Sequence, residues 1–211
     1  FAAISYGHKD KKVFDESDWS NTESSIGAYA KSKTLAEQAA WDFIRAQTSA
    51  KPMELSVVNP GPVYGPTLSG DLSGASMGMF KQIMSGKMPM VAQAAINMSD
   101  VRDIAKIHVL ALENENSNGK RFIVATEKAH KFQEIAQYIK SNGYDKISTR
   151  LAPNFLLNFI GNFDREARSM KTFIGKTYDG DVSSTMETFN WKPISLEKTV
   201  LDTIKSIESF D

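Results

Sequence analysis

Cysteine is absent from the 211-residue sequence. That removes disulfides, thiolate nucleophiles and cysteine-ligated metals, and it fits a reducing compartment, so the cytoplasm is the expected location. An excess of charge of either sign is absent too. Twenty-five Lys and Arg stand against 25 Asp and Glu, so no overall field draws the chain to nucleic acid or to an anionic membrane. No apolar run approaches the roughly 18–20 residues that a spanning helix needs, and the first residues are not a basic stretch followed by an apolar one. Histidine is scarce, and His8, His108 and His130 have no ligand-like spacing, so no metal site is expected. No internal repeat or low-complexity linker appears, and no initiator Met stands at the start. Phe1-Ala-Ala-Ile-Ser-Tyr-Gly7 reads as the end of a buried strand and its following loop, and the sequence predicts that the natural protein extends upstream.

What is present is an ordinary globular balance, 41% hydrophobic and 24% charged, far from the signature of disorder. Residues Lys9 to Ser25 are polar and turn-rich and read as a surface loop. From Gly27 to Thr48, apolar residues Tyr29, Leu35, Ala36, Ala39, Ala40, Phe43 and Ile44 recur at three- and four-residue steps, the pattern of an amphipathic helix. Glu54 to Pro60 is a short β-rich run that meets the loop Asn59-Pro-Gly-Pro-Val-Tyr-Gly-Pro66. Helix followed by short apolar strand is the repeating unit of an α/β protein with a parallel sheet.

Further along, Met77 to Ser85 reads as a short helix and Val91 to Asn97 as a short strand. Ser99 is the expected cap of a helix that runs through Leu112, with Asp100 and Asp103 explained by capping and the helix dipole. Lys120 to Ala125 is the next strand. Helices are expected over 132–142, 153–160, 164–173 and 196–210. His108 reads as a packed helix residue, and so does Trp41.

The most informative segment is Tyr29-Ala-Lys-Ser-Lys33. Four residues apart in a helix, the two side chains share a face one turn apart. A phenol near its ordinary pKa of about 10 is a poor proton donor at neutral pH. A neighbouring ammonium favours the phenolate, which suits the pair to exchanging a proton with a carbonyl or alkoxide oxygen. Taken alone, the spacing also describes an unremarkable exposed helix pair, so its surroundings decide.

Those surroundings resemble the short-chain dehydrogenase/reductase family, in the extended branch of dihydroflavonol reductases, cinnamoyl-CoA reductases and methylglyoxal/aldehyde reductases, within the NAD-dependent epimerase/dehydratase superfamily. The blocks that carry the resemblance stand in order: Phe1-Ala-Ala-Ile; Phe14-Asp-Glu-Ser-Asp-Trp19, leading to Tyr29-Ala-Lys-Ser-Lys-Thr-Leu-Ala-Glu-Gln-Ala-Ala-Trp41; Val58-Asn-Pro-Gly-Pro-Val-Tyr-Gly-Pro66; and Asp100-Val-Arg-Asp-Ile-Ala-Lys-Ile-His108. A weaker match, Phe189-Asn-Trp-Lys-Pro193, precedes the last helix.

The resemblance implies that Tyr29 protonates a carbonyl oxygen as hydride arrives, and that Lys33 is its electrostatic partner and a ribose ligand. Pro60, Pro62 and Val63 are then expected to border the nicotinamide, and Phe1, Ser5, Tyr6 and Ile26 to line the substrate pocket. The family's catalytic serine falls immediately before Phe1. No Gly-x-Gly-x-x-Gly turn follows a strand here, so the phosphate-binding first half of the nucleotide fold is expected to lie outside this chain. The chain by itself is expected to be inactive.

The resulting expectation is an α/β, Rossmann-type doubly wound parallel sheet, represented by its later strands and helices, with a smaller, mostly helical substrate lobe at the C-terminal end. Residues 1–128 would belong to the dinucleotide-binding domain, with a substrate-lobe insertion over about 67–98, and 129–211 to the lobe and closing helix. The expected reaction is NADPH-dependent reduction of an aldehyde or ketone, with NAD as the alternative cofactor, in a monomer or homodimer with a small-molecule carbonyl substrate. Two other readings use the same residues: a sugar-nucleotide epimerase or dehydratase, and a non-catalytic sensor of a dinucleotide.

Overall fold

In the computed structural model, residues 1–155 and 177–210 are described. Two parallel strands, β2 (Val57–Pro60) and β6 (Arg121–Val124), form its centre. They pair over four residues, with Val57 beside Arg121 and Pro60 beside Val124. All four β6 residues are buried, as expected of a parallel strand covered on both faces.

Helix α1 (Gly27–Arg45) feeds β2, and helix α3 (Val101–Glu113) feeds β6 through a 3-10 turn at Glu115–Ser117. Alternation of side chains along the strands sorts their contacts. Asn59 and Arg121 turn to Glu37 of α1. Val58 and Phe122 cluster with Ile104 and Ile107 of α3. Helices therefore cover both faces of the pair, and each runs back to the amino end of its strand, so the helix N-termini lie at the carboxyl edge of the sheet.

The segment expected to be a surface loop, Lys9 to Ser25, is anchored instead. Within it β1 (Val13–Phe14) pairs in parallel with β8 (Asp179–Gly180). Phe14 is fully buried, with Tyr178 edge-on at 5.4 Å. One apolar cluster thus joins Ile4, Phe14, β6, Phe189 of helix α5 (Ser183–Phe189), and Trp191.

A second cluster is assembled from separate stretches of chain. It takes Tyr64 from β3 (Val63–Tyr64), Phe80 and Ile83 from α2 (Ala75–Met84), Ile96 from β4 (Ala95–Ile96), Ile135 and Ile139 from α4 (Phe132–Ser141), and Val200 and Ile204 from α6 (Leu196–Glu208). Strand β3 pairs in parallel with β5 (Ser99–Asp100), and β4 pairs antiparallel with β7 (His130–Lys131).

Helix α6 bolts these parts together. Its Thr203 hydroxyl accepts from the Gly65 amide at 2.8 Å, Ser206 accepts from the Thr67 amide at 2.9 Å, and Thr199 donates to Asp100 at 2.8 Å. Arg102 spans Asp100 and Asp202 at 2.7 and 2.6 Å. Burial by itself would raise the Asp100 carboxyl. Hydrogen bonds from Arg102 and Thr199, with the Arg102 charge, outweigh it and hold the group below the usual carboxylate range.

Several local expectations shift. Asp100, not Ser99, caps α3 by accepting from the Arg102 amide. Ser99 belongs to β5, where its hydroxyl bridges the Gly61 amide at 2.8 Å and the Val124 carbonyl at 2.5 Å. Of Val91 to Asn97 only Ala95–Ile96 is a strand, beside a single bridge from Val91 to Leu151. His108 is exposed on α3, its Nδ1 against the Ile104 carbonyl at 2.8 Å. Most of the helices expected over 153–160 and 164–173 lie outside the described residues. The apolar positions of α1 are also not its buried face. Leu35 and Phe43 are 47% and 59% exposed, and the buried residues are Ala30, Thr34 and Glu37.

Candidate active site

Helix α1 starts where Gly27 takes a φ of +80°, a left-handed conformation that glycine adopts without a Cβ penalty. Tyr29 follows in the first turn and is 67% exposed. One turn on, the Lys33 Nζ lies 5.7 Å from the centre of the Tyr29 ring. Among the described residues, Lys33 makes no ion pair, and neither its ammonium nor the Tyr29 hydroxyl has a hydrogen-bond partner.

The position of the pair follows from an anchor further down the helix. Glu37 Oε2 accepts from Asn59 Nδ2 at 2.8 Å, next to the carboxyl end of β2. At about 1.5 Å per residue, Tyr29 stands roughly 12 Å further along α1, beyond that edge of the strand. In open α/β sheets the carboxyl edge is where ligands bind.

The loop after β2 carries the three residues expected at the nicotinamide. Pro60 ends the strand, half-buried, and its carbonyl accepts from the Phe1 backbone nitrogen at 2.6 Å. A β-carbon on Gly61 would stand 2.0 Å from the Asn97 carbonyl oxygen, so only glycine allows the two backbones this close. The Pro62 carbonyl accepts from the Ser99 amide at 3.0 Å, and Val63 pairs with Ser99 in β3. Pro60, Pro62 and Val63 are therefore held on one rigid bend at the sheet edge.

The residues expected at the substrate lie in the first eight residues and in the segment before α1, which are bonded to each other. The Ser20 hydroxyl donates to the Ala2 carbonyl and accepts from the Tyr6 amide, each at 2.8 Å. The Ser20 and Asn21 amides donate back to the carbonyls of Ala3 and Tyr6. Phe1 and Tyr6 are half-buried, while Ser5 and Ile26 are 1% and 5% exposed. The Ser5 hydroxyl points inward, 3.5 Å from the Phe1 carbonyl. Burial pushes the Tyr6 phenol well above its ordinary range, and the phenols of Tyr29 and Tyr178 are near enough to add to the effect.

Sequence reasoning missed the group that ties α1 to the segment before it. Arg121 donates from Nε to Glu37 Oε1 at 2.5 Å, and both side chains are more than nine-tenths buried. Its Nη1 donates to the carbonyls of Glu16 and Asp18 at 2.7 and 2.5 Å, and the guanidinium stacks 3.9 Å over the Trp19 ring. Trp41 adds an indole N–H to Glu37 Oε1 at 3.3 Å. Two signals were legible: Glu37 continues the Tyr29, Lys33 stripe at four-residue spacing, and Arg121, next to Lys120, opens the apolar run Phe122 to Ala125. Asp103 escaped as well. It accepts from the Trp191 indole at 2.9 Å and the Ile194 amide at 2.8 Å.

Comparison with known proteins follows the same lines. The family described as NAD dependent epimerase/dehydratase matches residues 3–125. A putative NADPH-dependent methylglyoxal reductase of Candida albicans is 32% identical over 123 residues, 56% of this chain and 35% of that protein. The NADPH-dependent methylglyoxal reductase of Saccharomyces cerevisiae is 24% identical over 208 residues, 96% of this chain and 57% of that one. Among solved structures, Gre2 of Candida albicans in complex with NADPH superimposes with a TM-score of 0.72 at 26% identity, covering 99% of this chain and 62% of that one. Vestitone reductase from alfalfa gives 0.74 at 22% identity, again covering 99% and 62%. The fold is thus of the Rossmann type expected, and the chain spans between about a third and three fifths of the length of these relatives.

Proposed function

The chain belongs to the NAD dependent epimerase/dehydratase family, and on that premise we propose that it carries the proton-donating side of an NADPH-dependent reduction of an aldehyde or ketone to an alcohol. The observation that carries this reading is the Tyr29–Lys33 pair on one exposed helical turn at the carboxyl edge of the sheet, the ammonium 5.7 Å from the phenol ring centre. The names of two relatives, both NADPH-dependent methylglyoxal reductases, support the reaction class and NADPH over NADH.

The residues present suit the nicotinamide-ribose end of such a cofactor. Lys33 has its three N–H donors unengaged among the described residues, as a ligand of ribose hydroxyls requires. NADPH supplies the hydride when bound. Tyr29 donates a proton to the carbonyl oxygen of the substrate, with the Lys33 ammonium one helical turn away. Pro60, Pro62 and Val63, held on the Gly61 bend, would border the nicotinamide when it is bound. Phe1 and Tyr6 form the substrate wall, with Ser5 and Ile26 packed behind it.

The apolar cluster built by α2, α4 and α6 is the body of the substrate lobe in this reading, packed against the loop at Gly65 by α6. No helix among the described residues is long and apolar enough to cross a membrane, and we place the activity in the cytoplasm. The test is a comparison of substrates on the protein as its gene encodes it. Oxidation of NADPH by small aldehydes and ketones, with no turnover of UDP- or dTDP-sugars, is expected. Turnover of the sugar nucleotides alone would assign the pair to epimerase or dehydratase chemistry instead.

A further inference from the structure

We propose that Arg121 is the positioning residue of this site, setting the distance between the helix that carries Tyr29 and Lys33 and the segment that walls the substrate. The proposal rests on the reading of Tyr29 as the proton donor. Arg121 sits at the first residue of β6, far from the exposed phenol, and touches neither Tyr29 nor Lys33. Its influence runs along two branches.

The first branch reaches α1. Arg121 Nε holds Glu37 Oε1 at 2.5 Å, and the other oxygen of the same carboxylate is held by Asn59 Nδ2 at 2.8 Å. Glu37 is thereby locked between two strands of the sheet. Because Tyr29, Lys33 and Glu37 are spaced by four residues, they lie along one stripe of the helix. A carboxylate fixed at one point of that stripe sets both the rotation and the axial position of the two residues above it. Little else does so, since Ala30, Thr34 and Glu37 are the buried residues of α1, and the Thr34 hydroxyl is turned back on the Ala30 carbonyl at 2.8 Å.

The second branch reaches the substrate wall. The same guanidinium donates to the Glu16 and Asp18 carbonyls and lies on the Trp19 ring. The next residue, Ser20, carries the bonds to Ala2, Ala3 and Tyr6 that hold the first residues in place. Arg121 is therefore the common partner of two segments adjacent to the site that share no other charged contact among the described residues. Its planar fork of donors serves both at once, which a lysine ammonium cannot reproduce in the same geometry. A misplacement of about 1 Å at a reacting centre costs on the order of 100-fold in rate, so a device that fixes this spacing acts on turnover.

The variants Arg121→Met and Arg121→Lys, and the double replacement Glu37→Met with Arg121→Met, separate positioning from general support. The double variant leaves no buried charge without a partner, a replacement that is commonly tolerated in folded proteins, and so guards against a single variant that fails to fold. In the protein as its gene encodes it, the folded variants are expected to lose about 10- to 100-fold in kcat. NADPH affinity, read by fluorescence titration, and KM for the carbonyl should stay within about threefold, and Arg121→Lys should regain part of the loss. Unchanged kcat in the folded double variant overturns the proposal, as does a loss shared equally by kcat, KM and cofactor affinity. Tyr29→Phe run alongside tells the two ideas apart: if it is fully active the proton-donor reading fails, whereas if it is inactive and the Arg121 variants turn over normally only the positioning role fails.

Discussion

Replacing Asp103 by alanine tests how the sheet and the closing helix are joined. The carboxylate is 5% exposed, and each oxygen has one donor: the Trp191 indole at 2.9 Å and the Ile194 amide at 2.8 Å. Hydrogen bonds to a charged group contribute about 1.5–3 kcal/mol each, and an acidic residue in the first turn of a helix adds about 0.3–1 kcal/mol. Asp103→Ala removes all three and leaves the indole N–H of the buried Trp191 without this partner, so a loss of roughly 3–7 kcal/mol follows. Against a domain stability of about 5–15 kcal/mol, that is a large fraction. Urea unfolding followed by tryptophan emission measures it, through the midpoint at constant slope. Asp103→Asn keeps the shape and one acceptor, so about half the loss is expected. A loss under about 1 kcal/mol for Asp103→Ala would refute the reasoning, because two charge-assisted bonds cannot be that weak in a buried site.

Gly61→Ala places a β-carbon 2.0 Å from the Asn97 carbonyl oxygen. The strand ends must separate, at a cost of about 1–3 kcal/mol or more, read as a lower midpoint of thermal unfolding. Asp100 gives a pH signature. Its folded carboxyl titrates below the ordinary 3.8, so its contribution is complete above the unfolded pKa and disappears as pH falls through the folded one. Denaturant unfolding of the parent and of Asp100→Asn, compared from pH 7 downward, should show the gap between them wide at neutral pH and closing below about pH 4. A gap that widens on acidification contradicts the assigned direction.

Long helices were legible in the sequence because periodicity and caps are local. The observed Gly27–Arg45, Phe132–Ser141 and Leu196–Glu208 lie within a few residues of their expected bounds. The pairing of Val13–Phe14 with Asp179–Gly180 was not legible, since a two-residue strand inside a polar stretch has no pattern and its partner lies far along the chain. The same limit explains α1. Its apolar residues suggested the buried face, yet the buried stripe includes Glu37, whose carboxylate is held by Arg121 from 84 residues away and by Asn59 and Trp41. At the site, the Tyr29–Lys33 spacing was visible from the residues themselves, and family resemblance gave it a context. The contacts of Glu37, Arg121 and Asp103 were not legible: spacing marks Glu37 and the helix dipole accounts for Asp103, but their partners come from distant parts of the chain. Ser99 was misjudged for a related reason: a serine before a helix resembles a cap, but here its hydroxyl links Gly61 to Val124.

The proton-donor role of Tyr29 is tested most directly by steady-state turnover of Tyr29→Phe in the protein as its gene encodes it, with NADPH and a small aldehyde. The phenol is 67% exposed, so the substitution leaves the fold intact by circular dichroism and removes only the hydroxyl. A fall in kcat of about 100- to 10,000-fold is predicted, the usual worth of a positioned general acid. Turnover within a few-fold of the parent would contradict the account at its root.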